Sequence, residues 1–409
     1  MDVGGVEFEP ETVDGSTPLH TRSGRDLFVA TLATTTAALP VFLVGTLAVQ
    51  MRESLHFSAQ ALGLAITLSY LGAAVWSIPS GRIAESFGGV RVLRIASIIG
   101  SALLALLGGV TQSWWALAVL LFLSGMVSAS IATSSNLFLA RRTSTAHQGL
   151  IFGVKQAAIP LASLLGGLAV PTLALTVGWR WAFFVGALLA LIASVIVPKP
   201  LSRLADHRQA IQGIDKPSLR SAPLVLLGIG LGLGIFAASG LAAFMVTAAV
   251  HQGISRSGAG LVAALAGGSA VVVRVGTGIL ADRRGGRHFP VVAAMMVVGA
   301  LGYFLVALGS ATHTAWLFVL GSVIALGLGW GWNGLFNFAV IRTHRQAPAR
   351  ATGITQVGGR LGGMLAPVLV GVLVGDSLYT LAWLIMAFAG LGAAIAVIAG
   401  RRLLMANLK

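Results

Sequence analysis

Three basic residues interrupt stretches of sequence that are otherwise apolar and long enough to cross a membrane: Lys155, Arg274 and Arg360. At about 1.5 Å per helical residue, Arg274 and Arg360 lie roughly 12 and 15 Å from the nearest charged ends of their stretches. An ionised side chain at such a depth costs about 2.5–3.5 kcal/mol on insertion scales. Residues of this kind therefore predict a functional site, and the competing interpretation is a structural role, which for Arg274 is a bond to carbonyls at helix ends.

No carboxylate accompanies these cations, because the nearest acids, Asp26, Glu53 and Asp376, lie at the ends of apolar stretches or in loops. A cation without a carboxylate partner needs carbonyls, hydroxyls, water or a bound anion. An anionic substrate is the economical partner for the two arginines. The flexible stem of Lys155 also allows its ammonium to reach the inner membrane surface, so two interpretations are open for this residue.

Uncharged polar side chains in neighbouring stretches add candidates for binding an oxyanion. Hydroxyls and amides can orient such a ligand, and a tryptophan can form one wall of a small pocket. The candidates are Thr35, Asn136, Gln156, Trp330, Asn333, Asn337 and Gln356. Such groups more often bond to their own helix or to a neighbouring one, so a structural role is the competing interpretation.

The composition assigns these stretches to a membrane protein. The chain of 409 residues is 56% hydrophobic and only 10% charged, against about 25% charged residues in an average soluble domain, which excludes a water-soluble globule. Apolar runs of about 20 residues predict an all-α membrane protein with twelve transmembrane helices. They lie near 27–49, 61–80, 92–110, 115–139, 150–173, 181–197, 222–250, 258–280, 289–309, 315–340, 353–374 and 379–400.

The distribution of basic residues predicts the orientation. With both termini in the cytoplasm, all but six of the 27 lysines and arginines fall on the cytoplasmic side or in the cytoplasmic tails, as the positive-inside rule requires. The outer loops hold only Arg52, Arg180 and Arg256. The net charge of +15 therefore reflects topology and contact with the lipid bilayer, and it does not indicate a nucleic-acid partner.

The second half of the chain repeats features of the first at a nearly constant offset. Asn136 matches Asn337, and Gln156 matches Gln356. Duplicated halves are typical of secondary transporters. We therefore predict a cytoplasmic tail over residues 1–25, a six-helix half over 26–197, a cytoplasmic linker over 198–220 and a second six-helix half over 221–409.

The loops after the second and eighth predicted spans carry the clearest repeat, in which an acid lies between glycines and is followed by arginine. The residues are Gly81, Glu85, Gly88 and Arg91 in the first half, and Gly278, Asp282, Arg283, Gly285 and Arg287 in the second. A carboxylate at a cytoplasmic helix end can engage helix-terminal N–H groups and opposing charges that separate when the halves move. We predict that these residues form a conformational latch; the alternative is a set of solvated loop charges.

These loops and the twelve spans resemble the major facilitator superfamily of secondary transporters over the whole chain. The second loop follows that family's pattern of glycine, acid, base and glycine, whereas Glu85 and Ser86 depart from the pattern in the first loop and predict a weaker latch there. The resemblance implies two pseudo-symmetric halves that alternate access to a midplane site. It also implies that the protein needs no cofactor and works as a monomer in a bacterial cytoplasmic membrane.

Within that family, Arg274 and Arg360 are similar in position to substrate-binding cations of the monocarboxylate transporters and the oxalate:formate antiporter. The stretch 153–160 resembles a segment of cyanate-permease-like members. Nitrate porters pair the first arginine with another at the position that Ser77 occupies here, which disfavours nitrate. The resemblance implies a small organic or inorganic anion as the substrate, with a coupled proton or counter-anion.

Several other functions are disfavoured because the sequence lacks the features that they require. It has no phosphate-binding loop, zinc-ligand cluster, nucleophile elbow or nicotinamide fingerprint, which argues against an enzyme, and no cysteine to bind a metal. Efflux of drugs or antibiotics by proton antiport is the alternative within transport, disfavoured by the lack of a buried acid. A membrane receptor without transport activity is the alternative from another class, and the short linker leaves no room for a signalling domain.

Overall fold

The computed structural model describes residues 19–140, 148–198, 221–283, 288–344 and 348–406. The regular elements within these ranges are helices. They are α1 (Leu19–Thr46), α2 (Ala48–Leu55), α3 (Ala59–Phe87), α4 (Gly89–Gly109), α5 (Trp114–Ala140), α6 (Gln148–Ala169), α7 (Arg180–Ile196), α8 (Ser221–His251), α9 (Arg256–Arg283), α10 (His288–Ala311), α11 (Ala315–Val323), α12 (Asn333–Thr343), α13 (Pro348–Gly375) and α14 (Tyr379–Ala406). Two π-helical turns follow α6 and α11, at Val170–Ala174 and Ile324–Leu328.

The helices account for the twelve predicted spans. Within the described ranges, eleven helical segments are long and apolar enough to cross a membrane, and the shorter apolar helix α7 supplies the twelfth. α11, its π-turn and α12 together make one broken span over Ala315–Thr343. α1 begins at Leu19, inside the range predicted as the tail. Because residues 199–220 lie outside the described part of the chain, the predicted domain boundaries stay a prediction.

Helix backbones approach most closely where they cross at glycine. A Cβ atom on Gly125 of α5 would lie 1.9 Å from the carbonyl oxygen of Ser69 in α3. One on Gly358 of α13 would lie 2.0 Å from the carbonyl oxygen of Gly228 in α8. Only glycine allows this approach. Close backbone packing holds helices together in lipid, because lipid is as apolar as the helix surfaces and the hydrophobic effect does not drive their association.

The two halves of the protein meet along four main helix pairs: α1 with α8, α3 with α13, α6 with α9, and α6 with α12. At the outer end of the second pair, a Cβ on Gly63 would lie 2.1 Å from the carbonyl oxygen of Pro367. The hydroxyl of Thr67 donates to the carbonyl of Met364 at 2.7 Å. These contacts close the outer end of the α3–α13 interface.

An ion pair between the outer loops also joins the halves. Arg256 at the start of α9 donates to both carboxylate oxygens of Glu53 in α2, at 2.5 and 3.0 Å. Both side chains are about half exposed, and exposed pairs contribute only about 0–1 kcal/mol. The backbone packing at Gly63 therefore determines outer closure more than this ion pair does.

The cytoplasmic ends of the interfaces differ from each other. α6 and α9 remain in contact up to Gly149, where an added Cβ would lie 2.7 Å from the carbonyl oxygen of Gly278. In contrast, an added Cβ on Gly81 of α3 or on Gly353 of α13 would meet no neighbouring atom of the described chain within 4 Å. The described conformation is thus closed at the outer end of α3 and α13, and these two glycines have open space beside them at the cytoplasmic end.

Candidate functional site

The side chain of Arg274 in α9 is fully buried between α6 and the break that precedes α12. Its guanidinium donates to the backbone carbonyl of Gln156 and, at 3.1 Å, to the backbone carbonyl of Trp330. It also lies 4.7 Å from the centroid of the Trp330 ring, a cation–π arrangement. Its Nε atom has no partner among the described residues. Carbonyl dipoles and an aromatic face hold this cation in the described conformation.

Both carbonyls are available because the helices that carry them are interrupted. The carbonyl of Gln156 would normally accept from the backbone N–H of residue 160, but Pro160 has no N–H. Trp330 lies in the turn between the π-helical turn and the start of α12, where the regular hydrogen-bond pattern changes. This role of Pro160 was not predicted, although its spacing from Gln156 is a signal in the sequence.

Amide side chains form a continuous row of hydrogen bonds beside this arginine. Gln356 of α13 donates to Asn337 at 3.0 Å, and Asn337 donates to the side-chain oxygen of Asn333 at 3.1 Å. Gln156 of α6 donates to the same oxygen of Asn333 at 3.1 Å. The row connects α13, α12 and α6, and the backbone of Gln156 connects it to Arg274. We call these residues the polar network: Gln156, Arg274, Trp330, Asn333, Asn337 and Gln356.

Lys155 of α6 lies outside the polar network and bonds to the first half of the protein. Its side chain is 6% exposed, and its side-chain nitrogen donates to the side-chain oxygen of Asn136 in α5. The side chain of Asn136 is exposed. The two residues are 19 positions apart in the sequence, as are Gln356 and Asn337 in the second half. The repeat therefore places the same kind of pair in both halves, with a titratable amine as the donor in one and an amide as the donor in the other.

Arg360 of α13 reaches across to the other half of the protein. One terminal nitrogen donates to the backbone carbonyl of Ala73 in α3 at 2.9 Å, and the side chain is half-buried. A guanidinium has five N–H donors, and this is its one hydrogen bond to the described residues. Both buried arginines of the second half thus donate to a helix carbonyl of the first half, but Arg360 retains unused donors.

Thr35 of α1 is separate from these groups. Its side chain is 1% exposed, and its hydroxyl donates to the carbonyl of Thr31 in the same helix at 2.9 Å. The nearest described opening on α1 is a small cavity against the outer closure, with Phe42, Tyr70 and Trp330 among its lining residues. Phe42 and Tyr70 were not predicted, because single aromatic residues in apolar spans carry no distinctive sequence signal.

A larger cavity of about 490 Å³ lies away from the polar network, between α3, α4 and α5. Its walls are mostly aliphatic, and Arg91 of the predicted latch lines one part of it. An apolar groove of this kind does not suit a small anion, because such a ligand needs convergent polar groups. The polar network and Arg360 therefore remain the candidate binding site.

The predicted latch residues behave differently in the two halves. At the end of α9, the carboxylate of Asp282 accepts from the backbone N–H groups of Gly149 at 2.8 Å and Leu150 at 2.9 Å. A carboxylate at this place satisfies first-turn N–H groups and favours the positive end of the helix dipole. Glu85 in α3 is exposed and forms no hydrogen bond or ion pair with described residues. The engaged acid is therefore the one in the second half.

The glycines of the latch have two different roles. Gly88 has a φ of 86° between α3 and α4, a conformation that residues with a Cβ rarely adopt. Gly278 packs against the backbones of Gly149 and Gly153 in α6. Gly285, Arg287 and the side chain of Arg283 lie outside the described part of the structure, and their predicted role stays a prediction.

Replacing Asp282 with alanine is expected to destabilise the protein, whereas replacing Glu85 with alanine is not. Loss of Asp282 leaves two N–H groups of α6 without their carboxylate partner, and loss of a helix-capping side chain costs about 0.5–2 kcal/mol. Thermal unfolding followed by tryptophan fluorescence measures both variants. An equal fall in Tm for the two variants would contradict the asymmetry.

The arrangement defines a class of protein. It is a bundle of membrane-spanning helices in two halves, with polar residues at its centre, and the outer ends of the helices close this centre from the outside. The sequence pattern of the Major Facilitator Superfamily matches residues 30–367. The chain belongs to this superfamily of membrane transporters and is not an enzyme.

Individual proteins agree with this assignment. The chain is 25% identical to a putative tartrate transporter of Agrobacterium vitis over 362 residues, which cover 80% of this chain and 78% of that protein. It is 28% identical to the cis,cis-muconate transport protein of Acinetobacter baylyi over 170 residues, or 39% of this chain and 40% of that one. The crystal structure of a D-xylose-proton symporter, at 17% identity, superimposes with a TM-score of 0.73 over 92% of this chain and 97% of the other. The predicted twelve-helix fold and multi-pass membrane location are confirmed.

Proposed function

We propose that the protein is a secondary active transporter of small organic anions, and of dicarboxylates in particular. The observation that carries the proposal is Arg360, a half-buried guanidinium near the middle of α13 with one hydrogen bond to the described residues and four donors unused. No carboxylate of the sequence lies at that depth. A bound anion compensates such a charge and so offsets the free-energy cost of holding an unpaired guanidinium in a medium of low dielectric constant.

The polar network supports the same proposal. Arg274 is already engaged by two carbonyls, so in this conformation it acts through the residues it holds in place. It fixes the backbone of Gln156 in α6 next to the break before α12, and the amides of Gln156 and Asn333 meet there. Amide N–H groups at fixed positions are suited to orient carboxylate oxygens. We assign the direct anion contact to Arg360 and the positioning role to Arg274.

The similar proteins favour a particular class of anion. Tartrate and cis,cis-muconate, named for two relatives, are both dicarboxylates. Two carboxylates present two sets of oxygens, and a guanidinium binds one set in a bidentate manner. The rest of the ligand then lies within reach of amide donors. The protein would move it by alternating access, with the halves rocking about α6 and α9 while the outer ends of α3 and α13 open and close.

Ligand binding to the purified protein tests this proposal. Thermal unfolding is measured with tartrate, cis,cis-muconate, lactate and the lipophilic cation tetraphenylphosphonium, because a ligand at about ten times its Kd stabilises by roughly 1.4 kcal/mol. We expect stabilisation by the dicarboxylates. We expect Arg360→Met to weaken this binding at least about 100-fold, since charge-assisted hydrogen bonds contribute about 1.5–3 kcal/mol each.

Arg402→Met is the matched control, because it removes an exposed arginine at the cytoplasmic end of α14. It is expected to bind dicarboxylates like the wild type. Uptake of labelled tartrate into proteoliposomes then separates a transporter from a receptor that only binds. Stabilisation by tetraphenylphosphonium alone, unchanged in Arg360→Met, would overturn the proposal in favour of drug efflux.

A further inference from the structure

The pair of Lys155 and Asn136 has a neutral counterpart in the other half of the protein. Asn136 accepts from the side-chain nitrogen of Lys155, and Asn337 accepts from the amide of Gln356. Both pairs join a helix to the one that precedes it in the membrane, with the same separation of 19 residues. The geometry that holds a titratable amine donor in the first half therefore holds an amide donor in the second.

Among the residues that the structure describes, none provides a counter-charge to Lys155. Its side chain is 6% exposed, and its one hydrogen-bond partner within the described ranges is a neutral amide. The charged or titratable residues whose side chains are described, on α5, on the helices packed against α6 and on α7, which contacts the π-helical turn after α6, are Arg25 and Asp26 of α1, Arg180 of α7, Arg256, Arg274 and Asp282 of α9, and Arg342 of α12. None of these forms an ion pair with Lys155, and Asp282 is engaged by the first turn of α6.

A buried ammonium without a counter-ion is unfavourable, and such a group loses its proton unless a negative charge arrives. The neutral amine still has two N–H groups, so it can donate to Asn136 as the neutral amide of Gln356 donates to Asn337. Deprotonation of Lys155 thus requires no new partner. The side chain of Asn136, which accepts this hydrogen bond, is exposed, and we take this side of the pair as the route by which a proton exchanges with water.

We propose that Lys155 carries a proton that is co-transported with the anion, an inference that rests on the proposed function. The amine is neutral when the site is empty. When the anion binds, the lone pair of Nζ takes one proton from water and forms an N–H bond; when the anion leaves, that proton returns to water. The protein then moves one proton with each anion, and the two bind cooperatively because their binding equilibria are linked.

The variant Lys155→Gln provides the test, because it copies the pair of Gln356 and Asn337 in the other half. Proteoliposomes are assayed for exchange of internal tartrate against labelled external tartrate, and for accumulation of labelled tartrate driven by a pH gradient, alkaline inside. We expect the wild type to do both. We expect Lys155→Gln to retain exchange within about threefold and to lose accumulation, because it binds tartrate without a proton.

A second measurement does not depend on a variant. Calorimetric titration of tartrate in two buffers with different heats of ionisation counts the protons taken up per anion bound. We expect uptake of up to one proton in the wild type above the pKa of Lys155, with the affinity falling about tenfold per pH unit. We expect no uptake in Lys155→Gln, nor in Lys155→Arg, which keeps the charge but does not deprotonate.

The results separate two kinds of failure. Tartrate binding without proton uptake in the wild type, or accumulation retained by Lys155→Gln, would overturn the role of Lys155 and leave the proposed function standing. Absence of binding and of exchange for both tartrate and cis,cis-muconate would overturn the proposed function and this inference with it.

Discussion

Arg274→Met is expected to reduce tartrate uptake by at least about 100-fold while the protein still folds. Methionine fills much of the volume of the side chain but donates no hydrogen bond. The carbonyls of Gln156 and Trp330, which Arg274 now engages, lose their shared partner. Two charge-assisted hydrogen bonds of about 1.5–3 kcal/mol each tie α6 to the segment before α12, so the amides of the polar network lose their fixed positions.

Arg180 offers a matched control for this experiment. Its guanidinium also donates to two backbone carbonyls, those of Gly108 and Thr111, both at 2.9 Å, and it lies 4.5 Å from the centroid of the Trp179 ring. All of these groups belong to the first half and lie at its outer end. Arg180→Met is therefore expected to lower Tm but to leave uptake within about threefold of the wild type, since it breaks comparable bonds away from the polar network.

Uptake in proteoliposomes and Tm are measured together for both variants. Arg274→Lys is included because a single ammonium does not reproduce the planar fork that reaches two carbonyls. We expect it to be nearly as inactive as Arg274→Met. Equal loss of uptake in the Arg180 and Arg274 variants, in proportion to the fall in Tm, would mean that Arg274 matters only for stability.

The arrangement of spans was predictable because it depends on composition and length. Apolar runs bounded by charges specify helices in lipid, where each backbone polar group must be satisfied within its own segment. The broken span of α11 and α12 was not predicted, because the π-helical turn at Ile324–Leu328 has the same apolar composition as the helix around it. Such interruptions depend on packing against neighbouring helices, which a single sequence does not encode locally.

The residues of the candidate site could be predicted from the sequence, but the contacts between them could not. The depth of Arg274 and its lack of an acid partner follow from the sequence alone. Its actual partners are carbonyls on α6 and before α12, and these depend on how far the helices rotate and how closely they cross. The same holds for Lys155: its spacing leaves two interpretations open, and the contact with Asn136 arises because α5 and α6 both pack against α1. Thr35 was predicted from its residue type alone, and its hydroxyl bonds within its own helix and not to the polar network.

Gly63→Val is expected to hold the protein open at its outer end. A Cβ at this position would lie 2.1 Å from the carbonyl oxygen of Pro367, 2.9 Å from its carbon and 3.3 Å from the Cα of Gly371. These are backbone atoms of α13, so no rotation of a side chain relieves the clash, and α3 and α13 must separate. Overpacking of this kind costs about 1–3 kcal/mol, which shifts the population of the closed state by roughly 5- to 150-fold.

A cysteine introduced at Ser239 reports this opening. The chain has no native cysteine, so a single introduced thiol is labelled without background. Ser239 is 6% exposed and lines the small cavity behind the outer closure, where a membrane-impermeant maleimide added from outside reaches it only when the outer end opens. We expect labelling in the Gly63→Val background to be at least about fivefold faster than in the background with glycine, because the population of the closed state shifts by that factor or more.

Gly276→Val in α9 is the control, because an added Cβ there would meet no described neighbouring atom within 4 Å. It is expected to leave the labelling rate and tartrate uptake unchanged. Gly63→Val is also expected to stop uptake, because a transporter that does not close outside cannot release its substrate to the cytoplasm without a continuous leak. Fast labelling with normal uptake would show that closure between Gly63 and Pro367 is not a step of the transport cycle, and unchanged labelling would show that α13 yields at this contact without opening the outer end.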